Sequence, residues 1–339
     1  MKPRRLRHIV FELTSECQQS CLYCYNVWKN PTEALRPLAT AGSYRTARRT
    51  LKRLFRVAKI GRVTMTGGEP LMSERFHELV LACRLRGAAV TVISNGGAPL
   101  AEYQSLEAIG VDLFELTINS DVPEIHDSMT GMPGSWQRVT NTVRALAQTT
   151  SVVCVVVVTR INAPRIRETL ACISSLGVDR VMVNRFNPGG AGLLHSKDLL
   201  PSRDELRGAL EAAERAGMEH GLNLSTNVSI PHCVVDPSDI PGIRMGACGS
   251  GPDRMPLTLS WNGELRLCNH SPVVAGNIFE TPIDEILTSP EVVRFFGTRP
   301  EYCRACKRYD RCKAGCRAVS EQLGVSLVNH DPIGTTIRV

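Results

Sequence analysis

Cys17-Gln18-Gln19-Ser20-Cys21-Leu22-Tyr23-Cys24 follows a short apolar run and spaces three cysteines as CxxxCxxC. Three thiolates in one compact loop suit a single inorganic cluster. A [4Fe–4S] cluster has four irons, so three cysteines leave one iron open to another ligand. Two plainer readings compete: a structural zinc site, normally closed by a fourth Cys or His close by, and three unrelated buried thiols. No histidine follows at ligand spacing. The stretch alone leaves all three readings open, and its context has to decide between them.

Outward from the loop, the chain alternates apolar strand patterns with amphipathic helical ones. Residues 8–13 read as a first strand, and the cysteine loop leaves its C-terminal end. A helix at 40–58 leads to a strand at 62–66 that stops at Gly67-Gly68-Glu69-Pro70. A helix at 74–85 precedes a strand at 89–94 ending in Asn95-Gly96-Gly97. A helix at 100–109 precedes a strand at 113–118 that runs into Asn119-Ser120-Asp121. Helices at 136–147 and 164–176 then flank strands at 152–159 and 180–184. Such a series argues for a parallel α/β architecture.

An open doubly wound sheet and a partial barrel both fit this order. A barrel gathers its polar, glycine-rich loops after the strand ends, where the site is carried. The cysteine loop, Gly67-Gly68-Glu69-Pro70, Asn95-Gly96-Gly97, Asn119-Ser120-Asp121 and Asn184-Arg185 all follow strands. We therefore expect a partial (β/α)6 TIM-like barrel. On its fourth strand Phe114, Leu116 and Ile118 share one face, while Glu115, Thr117 and Asn119 share the other. Glu115 is thus either a polar lining residue of the interior or a sign of a wrong register, since an unpaired inward carboxylate is costly.

Past a helix at 203–217 the regular alternation gives way to Pro, Gly and Cys. We place the boundary near residues 228–232, giving a barrel at 1–230 and a small cysteine-rich α+β domain at 231–339. Within the second part, 257–260 and 265–268 read as a hairpin turning at Asn262-Gly263.

The chain has 339 residues, 43% of them hydrophobic, and a formal charge of +7. That is enough for a sizeable core. Its basic start is not followed by a long apolar region, so the 13 cysteines are not read as a secreted disulfide framework. We expect a cytoplasmic chain with cysteines reduced or metal-bound. The longest apolar run, at 152–158, is too short to span a bilayer. The arginines at 45–56 lie on a helical pattern and read as a solvated face, so neither a nucleic-acid nor a membrane partner is expected.

Cys303-Arg304-Ala305-Cys306, Cys312 and Cys316 form a second group, with Cys248 and Cys268 at the ends of the hairpin region and Cys233 further upstream. So cysteine-rich a segment with few apolar residues is expected to be held by metal. On spacing alone, zinc and iron stand equal there. Cys83, Cys154 and Cys172 sit in apolar patterns and read as core. His126 lies on the cavity side and reads either as a substrate contact or, more plainly, as a polar residue at a helix start, while His8, His195, His220 and His270 have no partner legible in the sequence.

Taken together, Cys17, Cys21 and Cys24, with Tyr23 before the last of them, resemble the cluster motif of radical S-adenosylmethionine (radical SAM) enzymes. Gly67-Gly68-Glu69-Pro70 resembles that family's motif for the methionine amino group. Asn95 and Ser120 are similar to positions lining its SAM pocket. Pro123-Glu124-Ile125-His126-Asp127 is similar to a family stretch that continues to Arg-Gly, where this chain has Thr130-Gly131. Cys248, then Gly263 with Cys268, then Cys303, Cys306, Cys312 and Cys316 resemble the SPASM extension, which carries auxiliary iron–sulfur clusters. That pattern continues to one more cysteine, which this chain lacks. The resemblance assigns Cys248, Cys268 and Cys316 to one auxiliary cluster, with Cys233 as a candidate fourth ligand. It assigns Cys303, Cys306 and Cys312 to the other, one thiolate short, with Asp310, His330 or Asp331 as candidate substitutes.

The resemblance implies that the open iron binds SAM, whose reductive cleavage gives methionine and a 5′-deoxyadenosyl radical that abstracts substrate hydrogen. Glycines 67 and 68 would let backbone approach the methionine, and Glu69 would accept from its ammonium. Adjacent auxiliary clusters imply oxidation of the substrate radical, by dehydrogenation or crosslinking. A ribosomally made peptide is the first expectation for substrate. Against it, the motif starts at residue 17, which leaves no room for an N-terminal leader-binding domain; a separate leader-binding protein or a small-metabolite substrate would each account for that. The alternatives are a small metabolite (a sugar, nucleoside or tetrapyrrole) undergoing dehydrogenation, epimerisation or decarboxylation, and a non-catalytic iron–sulfur electron carrier. A flavodoxin or ferredoxin is the expected electron donor.

Overall fold

Parallel strands laid side by side in chain order make the body of the molecule. The structure is a computed structural model and describes residues 4–31, 42–249, 251–252, 255–327 and 331–334. β1 (Arg4–Glu12), β2 (Ala58–Thr66), β3 (Ala89–Ser94), β4 (Leu113–Thr117), β5 (Val152–Val158) and β6 (Arg180–Arg185) each pair in parallel with the next. The connections carry α1 (Tyr44–Val57), α2 (Phe76–Arg84), α3 (Leu100–Ala108), α4 (Pro123–Thr130), α5 (Ser135–Leu146) and α6 (Ile166–Ser175). After β6 come α7 (Ser196–Leu199) and α8 (Arg203–His220), and two short parallel strands, β7 (Asn223–Thr226) and β8 (Ile243–Met245), extend the sheet.

Side-chain alternation builds the two faces. Ile9 and Phe11 of β1, Val63 and Met65 of β2, Val90 and Val92 of β3, and Phe114 and Leu116 of β4 are fully buried and form one core with Leu51, Leu79, Leu106, Val139 and Leu170 of the helices. The other face mixes polar and apolar side chains, Thr64 and Glu115 with Val10 and Ile93. His8 of β1, Glu115 of β4 and Asn227 just beyond β7 line one common cavity, which requires the sheet to curl round on itself. The register of β4 is therefore the one that points Glu115 inward. The outermost strands do not pair with each other, so the curl is a partial barrel.

The cysteine-rich part attaches to the opposite side of β1. β9 (Leu257–Ser260) pairs in parallel with β1 from Ile9↔Leu257 to Glu12↔Ser260. β10 (Glu264–Arg266) and β11 (Val274–Asn277) follow antiparallel. The turn between β9 and β10 puts Gly263 at φ 92°, the left-handed conformation expected of Asn-Gly. α9 (Ile283–Ile286), α10 (Pro290–Gly297), α11 (Tyr309–Cys312) and α12 (Arg317–Gln322) complete the described chain. Two buried ion pairs cross the seam: Arg266 with Glu12, and Arg185 of β6 with Asp331. No described helix is long and apolar enough to cross a membrane.

Candidate cofactor and substrate site

Cys17, Cys21 and Cys24 face a cavity of about 120 Å³ at the C-terminal ends of β1 to β4, together with Gly67, Gly68, Asn95 and Thr117. Cys17 Sγ accepts from Gln19 N at 3.4 Å and lies 3.7 Å from Asn95 Nδ2. Burial raises all three thiols, Cys21 to about 12, and Lys29 pulls in the other direction. Among the described residues no three Cys, His, Asp or Glu side chains close on a single metal ion. The thiols surround a space rather than a point. Three soft donors set round a cavity, with amide donors beside one sulfur, fit a multi-iron cluster with a free coordination position.

The loop is held there by close backbone packing. A Cβ on Gly68 would come within 2.0 Å of Glu16 O, and one on Gly67 within 2.5 Å of Thr14 O. The glycine pair thus serves first to seat the end of β2 against the root of the cysteine loop, where Gly68 N donates to Thr14 O and Glu69 N to Glu16 O. On the far side, Gly192 N donates to Cys24 O at 3.0 Å, and a Cβ on Gly190 would meet the same carbonyl at 2.7 Å.

Not every residue singled out in the sequence reaches the cavity. Tyr23 and Asn95 line it. Glu69 is buried behind the wall, where Oε1 accepts from Leu71 N and Ser94 Oγ and Oε2 accepts from Asn95 N. Burial pushes this carboxyl up to about 7. Glu69 thus braces the ends of β2 and β3 through three donors, two on Oε1 and one on Oε2. Ser120 is also turned away: its Oγ accepts from Val122 N and its carbonyl from Trp136 Nε1. His126, on α4, does line the cavity. Its Nδ1 accepts from Asn119 N, and burial lowers its pKa to about 4, so the ring is neutral.

A second cavity, of about 250 Å³, lies deeper in the barrel. Ile93 lines both spaces, and the Tyr25 ring of the first stacks on His270 of the second, centroids 3.9 Å apart at 17°. Cys248, Cys268 and Cys316 open onto this cavity, as do His8 and Glu115. Asn187 Nδ2 contacts both Cys316 Sγ, at 3.4 Å, and His270 Nδ1, at 3.1 Å, while its Oδ1 has no partner. Glu115 makes no hydrogen bond, and desolvation raises it to about 7 against a weaker opposing pull from Arg62.

Cys303, Cys306 and Cys312 gather in a separate group around Tyr309. Cys233 lies with these three and not with Cys248, Cys268 and Cys316: His232 N donates to Cys312 Sγ at 3.2 Å. Asp310 is exposed and faces Lys313, and Asp331 is engaged by Arg185, Cys316 N and Ile333 N. His330 lies outside the described residues. Cys83 and Cys154 are buried in the core, and Cys172 is half-buried. Tyr25 and His270 escaped the sequence reading. The one usable signal was the position of Tyr25 directly after the last cysteine of the motif.

Residues 11–173 match the family model of the Radical SAM superfamily, and residues 248–313 match a SPASM iron–sulfur cluster-binding domain. A PqqA peptide cyclase of Gluconobacter oxydans is 29% identical over 96% of this chain and 89% of its own length. The PqqA peptide cyclase of Xanthomonas axonopodis pv. citri is 26% identical over 96% and 86%. Among solved structures, native anSMEcpe with bound AdoMet superposes with a TM-score of 0.73 at 16% identity, covering 98% of this chain and 95% of that one. Streptococcus suis SuiB bound to precursor peptide SuiA gives 0.68 at 15% identity, covering 97% and 75%. The two structural likenesses concern the fold.

Proposed function

Because the chain belongs to the radical SAM superfamily and carries a C-terminal SPASM domain, we propose that it forms an oxidative crosslink in a ribosomally made peptide. One observation carries this reading. The cavity lined by Cys17, Cys21 and Cys24 abuts the one lined by Cys248, Cys268 and Cys316, with Ile93 common to both and the Tyr25–His270 stack at their border. Hydrogen removal on one side and electron removal on the other therefore have a shared wall. The named activity of the PqqA peptide cyclases supports the peptide as substrate.

In this reading Cys17, Cys21 and Cys24 hold the SAM-binding cluster, and Cys248, Cys268 and Cys316 hold an auxiliary one. The group held by Cys17, Cys21 and Cys24 would supply radical hydrogen abstraction once SAM is bound. The backbone at Gly67 and Gly68, Asn95, Tyr23 and Thr117 present polar atoms to SAM, while Glu69 and Ser120 position the strand ends behind them. Crosslinking removes two hydrogens from the peptide: one leaves as an atom, and the other as a proton and an electron. Glu115, unpartnered and raised to about 7, accepts that proton from a side chain inserted into the inner cavity. We assign residues 1–230 to the SAM-cleaving module and 231–339 to the auxiliary module. Electrons come from a flavodoxin or ferredoxin, and a separate protein presents the peptide leader.

The inner cavity, at about 250 Å³, also suits a small metabolite. The two readings separate in one assay. Reduced anaerobic protein with SAM should release 5′-deoxyadenosine, and Cys21→Ala should abolish it. With a short candidate precursor peptide found by sequencing the neighbouring genes, product should appear lighter by two hydrogens. Turnover coupled to a small metabolite alone, with every peptide left unaltered, would sink the peptide reading.

A further inference from the structure

We infer that Cys233 is the fourth thiolate of the second auxiliary cluster, completing the set Cys303, Cys306 and Cys312 from a turn that precedes the SPASM-matched residues. The inference rests on the reading that these cysteines hold iron and sulfide. The family spacing leaves this group one cysteine short after Cys316, and proximity in sequence would pair Cys233 with Cys248. The fold decides otherwise.

Three contacts put the Cys233 turn against the Cys303–Cys312 loops. His232 N donates to Cys312 Sγ at 3.2 Å, so the backbone next to Cys233 already touches one thiol of the set. Pro231 packs against the short link between Cys312 and Cys316, where a Cβ on Gly315 would meet its ring at 2.8 Å. Arg308, between Cys306 and Cys312, pairs with Asp236. The turn itself is fixed: Val234 N and Val235 N both donate to Pro231 O, and both valines are buried in the main core. Arg203 and Arg207 of α8 donate to Val234 O.

Charge proximity agrees with the contacts. The Cys233 thiol feels Cys312 and Cys306, and Cys303 in turn feels Cys306, Cys312 and Cys233. The charges that bear on Cys268 are those of Cys316 and Cys248. The thirteen cysteines thus sort into two core residues and the half-buried Cys172, a three-thiol loop at the SAM site, a three-thiol set at the inner cavity and a four-thiol set away from it. Four thiolates close a cluster against ligand exchange, which suits a relay that passes electrons outward without binding substrate. Cys233 ties that relay to the barrel edge between β7 and β8.

The test uses the reconstituted full chain carrying Cys17→Ala, Cys21→Ala and Cys24→Ala, so that only auxiliary iron is counted. This background should hold about eight irons per chain, two [4Fe–4S] clusters. Adding Cys233→Ser should remove about four of them, or remove about one and leave the EPR signal of a [3Fe–4S] cluster. Either result supports the assignment. Unchanged iron and EPR in Cys233→Ser, with loss in Cys303→Ser, would overturn it. Unchanged iron in Cys303→Ser and Cys306→Ser as well would overturn the underlying cluster reading, and the inference with it. A measurement on the unmutated holoprotein guards against misfolding of the variant. Cys233 is solvent-exposed as a residue, so a free thiol there should alkylate readily. As a ligand it should stay unlabelled until iron is stripped by a chelator. Labelling of Cys233 at full iron occupancy would refute the assignment.

Discussion

Glu115 is where a single residue exposes the logic of the interior. Burial without a hydrogen-bond partner lifts its carboxyl from the ordinary 4.5 to about 7. Below 4.5 the group is protonated whether the chain is folded or unfolded, and above 7 it is ionised in both. Between these limits only the unfolded chain gives up the proton, so stability falls as pH rises through the window, by roughly 3 kcal/mol in all. Glu115→Gln removes that slope. The variant should match the parent near pH 4 and exceed it in thermal midpoint at pH 8, measured on anaerobic holoprotein. Activity should move the opposite way. Crosslinking by the parent should rise with pH through about 7, while the variant should be slower by roughly 10²-fold or more with a flat profile. An unchanged pH profile in Glu115→Gln would remove this residue from the proton-transfer role.

At the scale of elements, α12 does a job that its six residues do not advertise. Gln322 Nε2 donates to Tyr25 O at 2.9 Å and His270 O at 3.0 Å, and its Oε1 accepts from Asn30 Nδ2 at 3.0 Å and Gly190 N at 3.2 Å. One side chain thus fastens the outgoing end of the cysteine loop to the auxiliary module. Gln322→Ala strands several buried groups and should cost about 2–4 kcal/mol, with faster release of iron to a chelator. Equal release rates in variant and parent would show that the loop holds without the clamp. Such contacts also mark the limit of what the sequence discloses. β2 to β6 were legible because each shows a run of five or more residues rich in β-formers, alternating in β4 and continuously apolar in β5, and the cysteine spacing was legible because it is local. β7 and β8, of four and three residues, are too short to show a period. Tyr25 meets His270 and Gln322 only after more than 240 residues of intervening chain. Cys233 was not legible either: the resemblance offered it to Cys248, Cys268 and Cys316, whereas the turn at Pro231 brings its neighbour His232 to Cys312.

At the scale of the whole molecule, both modules are built on one strand. β1 pairs with β2 along one edge and with β9 along the other, so the two cysteine-lined cavities are positioned by a single continuous sheet. The Glu12–Arg266 pair sits at that junction, nearly free of solvent on both sides, with Arg266 Nη1 also donating to Ser271 O at 2.7 Å. A buried pair contributes little net stability over an apolar pair of similar size, but losing one partner leaves a bare charge in the core. Arg266→Met alone should therefore lower stability by about 3–5 kcal/mol, whereas Glu12→Leu with Arg266→Met should recover most of it. If the pair also sets the distance between hydrogen removal and electron removal, stability and coupling will part company in the double variant. Its thermal midpoint should approach that of the parent, while the ratio of 5′-deoxyadenosine released to crosslink formed should stay raised. A double variant that recovers both would assign the pair to folding alone. One that recovers neither would mean that the core at this seam cannot close over an apolar pair.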